Sequence, residues 1–99
     1  MTITEFNASL QLTQPPADLS PALEALWWDA KEEWNRAHDI AQDIRDNAGS
    51  WIHAYLHRKE GDNLNAEYWY DRAGKHMPPV PLQEEWHQIT AELLSASAK

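Results

Sequence analysis

The stretch GDNLNAEYWYDRAGKHMP, residues 61–78, sets Gly61, Ala66, Tyr70, Ala73 and Pro78 in a frame where each position has a steric reason. Gly61 allows a sharp turn out of one helix, because it lacks the Cβ that penalises left-handed backbone. Ala66 and Ala73 let the following helix approach a neighbour closely, Tyr70 fills the gap between them, and Pro78 stops the helix. Trp69 and Met77 extend the same three- and four-residue rhythm. The frame predicts a tightly packed helix hairpin.

Upstream, Ser50 is placed to cap a helix from Trp51 to about Lys59, in which Trp51, Ile52, Ala54, Tyr55 and Leu56 cover much of the circumference. A helix apolar on most sides is a buried one. Further back, Ser20 followed by Pro21 is a helix start, since the hydroxyl caps free amides and proline suits the first helical position. Leu23, Trp27, Ala30, Trp34, Ala37, Ala41 and Ile44 then recur at spacings of four and three. They predict one long helix with a single apolar stripe, closed by Gly49 in the left-handed conformation. Downstream, Pro78, Pro79 and Pro81 precede Leu82, Trp86, Ile89 and Leu93, which make a final helix before the tail SASAK. Residues 1–20 differ: Phe6, Ala8, Leu10 and Leu12 alternate, and QPPADLSP breaks regular structure, so they read as an extended arm and linker. The expected fold is all-α, a compact four-helix bundle over residues 21–99 with one repeat-like hairpin and an extended N-terminal arm.

The Gly61 frame resembles the second half of a tetratricopeptide repeat, and Ala66, Trp69, Tyr70 and Ala73 resemble the A-x2-WY-x2-A helix of its Sel1-like relatives. The resemblance covers about residues 50–78 and implies a helix hairpin of the kind that binds proteins or peptides. In the first helix of such a pair, a leucine, a small residue and an aromatic stand eight, seven and four places before the glycine. Here those places hold His53, Ala54 and His57. No second copy occurs, and repeat units stack in about threes to bury their faces, so a single hairpin inside a bundle is expected. Over a longer stretch, AHDIAQDI and WIHAYLHRKEGDNLNAEYWYDRAG resemble a group of small, mostly bacterial proteins. That likeness implies a fold and no particular chemistry.

Ninety-nine residues, 42% of them hydrophobic and with a formal charge of −8, describe one small acidic globular domain. The charge argues against nucleic-acid and anionic-membrane partners, which a net negative surface repels. There is no cysteine, which excludes disulfides, thiolate metal sites and thiol catalysis. The N-terminal stretch has neither the basic start nor the apolar run of a secretory signal, so a cytoplasmic location is expected.

Candidate chemistry centres on histidines. His53 and His57 stand four apart on a helix, a spacing that lets both imidazoles face one side and share a divalent metal ion. Further ligands are available from His38, Asp39 or Glu33, or from the Glu84-x2-His87 pair. General acid–base work by His53 or His57, oriented by Asp39 or Asp43, is the alternative use of the same residues. No G-x-S-x-G elbow or Gly-rich phosphate loop accompanies them. Six tryptophans are mostly core, but Trp27 and Trp28 diverge by about 100° on a helix, which leaves Trp28 as a candidate exposed anchor for a partner. Asp29, Glu32, Glu33, Asp39, Asp43 and Asp46 read as a solvated acidic face.

Two functional readings follow. The first is a non-catalytic module that binds a protein or peptide, or pairs with itself as a homo-oligomer, through Trp28. The second is a small metal- or ligand-binding protein, with hydrolytic chemistry among its options, using His38, His53 and His57.

Overall fold

Capping chemistry sets most of the element boundaries. The computed structural model describes residues 1–97 and is helical throughout its regular structure: α1 (Ile3–Ser9), α2 (Pro21–Ala30), α3 (Trp34–Gln42), α4 (Asn47–Lys59), α5 (Asn63–Ala73) and α6 (Leu82–Ser97). The all-α expectation holds, with six helices among the described residues rather than four. The last helix continues into the SASAK tail, whose final two residues lie outside those described.

The N-terminal segment is not an extended arm. Thr2 accepts from the Glu5 amide at 3.1 Å while the Glu5 carboxylate accepts from the Thr2 amide at 2.8 Å, a reciprocal cap that starts α1. Once helical, Ile3, Phe6 and Leu10 fall on one face; Phe6 is fully buried and packs against Trp86 with ring centroids 5.9 Å apart. Burying such a ring contributes about 1.5–3 kcal/mol, enough to outweigh the weak alternation that suggested an extended arm. Ser9 completes the docking by accepting from the Trp27 indole N–H at 3.1 Å.

The long helix expected from Pro21 is broken. Ser20 caps its start through the Leu23 amide at 3.3 Å, with Pro21 in the first turn. It ends at Ala30, where Glu32 takes a left-handed φ of 62°. The Glu32 amide donates to Asp29 at 2.9 Å and the Glu33 amide to Trp28 at 2.9 Å, the paired bonds of a Schellman stop. The same motif closes α4 around Gly61 (φ 87°) and α5 around Gly74 (φ 72°). Only at Glu32 is the left-handed residue not glycine. The elbow lets α3 fold back on α2 and reach α4, which covers a helix that is buried on nearly every side from Ala22 to Asp29.

Gly49 has a different role from the one expected. Asp46, not Ser50, caps α4, accepting from the Gly49 amide at 2.9 Å, so Gly49 sits inside the first turn. A Cβ there would lie 2.3 Å from the Ile44 carbonyl oxygen; the glycine permits a close chain crossing rather than a left-handed stop. The pair α4 and α5, joined by the turn Glu60–Asp62, makes the most extensive helix contact in the molecule. Ala66, Tyr70 and Ala73 face that contact as the frame predicted, all buried. α5 stops at Gly74, before Pro78 is reached.

Two buried carboxylates tie the helices together. Glu85 on α6 is wholly buried and accepts from Arg58 at 2.8 Å, Tyr70 OH at 2.6 Å and the Trp51 indole at 3.2 Å. Arg58 also donates to the Val80 carbonyl. Asp29, expected on the solvated acidic face, is 1% exposed and accepts from Tyr55 OH and Lys59, each at 2.9 Å. Burial and the adjoining carboxylates push both phenols, Tyr55 and Tyr70, far above their ordinary value, so each stays a donor. Among the described residues no helix is long and apolar enough to cross a membrane.

Candidate metal centre

The α4 helix carries His53 and His57 four residues apart, and its Asp46 cap and Gly61 stop fix both on the face turned toward α3 and α5. The elbow at Glu32 brings α3 alongside, and with it His38. His38 Nε2 and His53 Nε2 lie 3.0 Å apart, one ring donating to the other. His57 stacks on His53 with centroids 4.8 Å apart and 23° between planes, and His38 stands edge-on to both. Each of the three offers a ring nitrogen within 4.8 Å of the other two.

Aromatic side chains wall the cluster. Trp69 of α5 stacks on His53 at 4.0 Å and 15°, and Trp34 of α3 stacks on His38 at 4.9 Å and 12°. Trp34 is held in place by its own indole N–H, which donates to the Leu56 carbonyl at 2.9 Å. On the outer side, Glu60 meets His57 Nδ1 at 2.6 Å. A carboxylate that takes the Nδ1 proton leaves the Nε2 lone pair free and fixes the ring, the arrangement seen behind metal-bound histidines.

The environment favours the neutral, ligating form of His53 and His38. Burial and the neighbouring His38 and His57 lower the His53 pKa to about 4. Burial, and then His57, lowers that of His38, with Asp39 and Glu60 partly opposing. The Nε2 atoms of His38 and His53, 3.0 Å apart, are close to the spacing of about 3.4 Å that zinc–nitrogen bonds of about 2.0–2.1 Å impose in a tetrahedron. The third nitrogen lies within 4.8 Å of both, a gap that side-chain rotation can close without a backbone shift.

Of the residues singled out from sequence, His38, His53 and His57 come together from two helices. Asp39 and Asp43 are exposed and orient no histidine; Glu60 does that work, three residues after His57 in the helix-ending turn. Glu33 caps nothing with its side chain, and Glu84 and His87 lie exposed on α6, outside the groups among the described residues that could hold an ion. Trp28 is not the exposed anchor that its divergence from Trp27 predicted. It is 8% exposed, edge-on to Trp27 at 4.9 Å, with the Arg36 guanidinium 4.1 Å over its ring. The folded-back α3 buries what a continuous helix would have left open. Trp34 and Trp69 went unread as parts of the site, although Trp34 stands one helical turn before His38 and Glu60 one turn after His57.

No protein-family model, curated protein or solved structure matches the chain.

Proposed function

We propose that this protein binds a first-row transition-metal ion of the zinc, copper or nickel kind through His38, His53 and His57. The observation that carries the reading is the convergence of three imidazoles from two helices, with ring nitrogens within 4.8 Å of one another. Neutral imidazole suits these metals, whereas magnesium and calcium take oxygen donors. The acidic surface, with a formal charge of −8, favours the approach of a cation. On this reading the α4–α5 hairpin supplies two ligands from its first helix, at the positions where repeat-like hairpins carry apolar residues. The interaction-module reading rests on the resemblance of the hairpin to protein- and peptide-binding repeats; the exposed Trp28 that it also called on is buried.

The test is calorimetric titration of metal-free protein with Zn²⁺, paired with quenching of tryptophan fluorescence by Cu²⁺, which Trp69 and Trp34 are close enough to report. One ion per chain is expected. His38→Ala, His53→Ala and His57→Ala should each weaken binding by more than the roughly 10- to 100-fold that losing an outer-shell partner costs. Equal affinity in a His53→Ala/His57→Ala double variant, or loss of binding in His76→Ala/His87→Ala instead, would refute the assignment.

A further inference from the structure

We infer that the ion held by His38, His53 and His57 keeps one coordination position for an exchangeable water or small anion, so the centre is open rather than a closed structural knot. The inference rests on the metal reading above and goes one step past it. A four-coordinate ion with three protein ligands and one exchangeable position is the pattern of reactive centres, while structural sites fill all four from the protein.

The census of donors around the cluster decides the matter. Trp34 and Trp69 form the walls, and an indole nitrogen brings a proton and no lone pair; that of Trp34 is already donated to Leu56. Glu60 is engaged with His57 Nδ1 at 2.6 Å, which makes it an outer partner of a ligand. Asp62 belongs to the neighbouring group with His57 and Glu60, but its carboxylate is spent on starting α5. It accepts from the Asn65 amide at 3.3 Å and from the Asn65 side chain at 2.7 Å. Asp39 follows His38 directly on α3, so the two side chains diverge by about 100° around the helix, and Asp39 is exposed. No fourth donor from the described residues is left to close the shell.

The direction of the opening follows from burial. His53 and His57 are 6% and 9% exposed, whereas His38 is only half-buried. Solvent therefore reaches the cluster along the His38 edge. The stacked indoles wall the cluster on two sides, which restricts an entering ligand to few atoms. Water, azide-like linear anions and small carboxylates are the class that fits.

Cobalt reports this directly, because the visible absorption of bound Co²⁺ changes when a ligand enters its shell. The full chain is loaded with one equivalent of Co²⁺ and titrated with sodium azide, with far-ultraviolet circular dichroism as the check on folding. The expected result is a saturable change in the cobalt bands, retained in Glu60→Gln with metal affinity reduced about 10- to 100-fold. Co²⁺ bands that azide leaves unchanged would overturn the open position while leaving the metal reading intact. Failure to bind Co²⁺ at all would overturn both. If azide moves the cobalt bands only in Glu60→Gln and not in the unsubstituted protein, Glu60 is the fourth ligand and the inference is wrong.

Discussion

Acid should destabilise this protein through His53. The folded state lowers the His53 pKa from 6.5 to about 4, by burial and by the two adjacent imidazoles. Across that window the unfolded chain binds more protons than the folded one, so the contribution is fully present above pH 6.5 and is lost as the pH falls toward 4. Linkage with those two values puts the loss between pH 7 and pH 5 at about 2 kcal/mol. For a domain of this size that corresponds to a fall in Tm of roughly 8–16 °C. His38 shifts in the same direction and adds to the effect. The assay is urea unfolding followed by tryptophan fluorescence at the two pH values, with a chelator present so that metal release contributes nothing. His53→Gln keeps a hydrogen-bonding partner for His38 but cannot titrate, and it should lose less than half as much stability over the same interval. Equal losses in the two proteins would show that the histidine cluster is not the acid-sensitive element.

Two further outcomes test the packing. Glu85→Ala removes the acceptor shared by Arg58, Tyr70 and Trp51 and should cost about 3 kcal/mol in urea unfolding, because it strands a part-buried cation and two buried donors; Glu85→Gln, which retains an acceptor, should cost distinctly less. Gly49→Ala places a Cβ 2.3 Å from the Ile44 carbonyl oxygen and should cost about 1–3 kcal/mol by overpacking. Gly61→Ala meets no atom within 4 Å and should cost only the left-handed backbone penalty of about 1–2 kcal/mol. The two glycines are separated by asparagine, which tolerates left-handed backbone: Gly61→Asn should cost less than Gly61→Ala, whereas Gly49→Asn should cost at least as much as Gly49→Ala, with unfolding midpoints as the readout.

The sequence by itself determined what neighbours along the chain decide. Gly61 and the alanines of α5 announced the hairpin, since a left-handed turn and a close helix approach each demand particular residues a few places apart. The four-residue spacing of His53 and His57 placed two imidazoles on one face for the same reason. The tertiary structure decided the rest. The stop at Glu32 uses the same Schellman geometry as Gly61 and Gly74, but without a glycine it leaves no local mark, and the apolar stripe runs on through it. That one non-glycine residue in a left-handed conformation is held by what the break permits, which is the packing of α3 over α2 and Trp28. The same fold-back carries His38 across fifteen residues of chain to within 3.0 Å of His53. Asp29 likewise read as a surface charge and Glu85 carried no sequence signal of its own, because a carboxylate's burial depends on partners 26 and 34 positions away that share no local pattern with it. Two of the three histidines were therefore paired by helix geometry alone, and the third was joined to them only by the way the chain folds back.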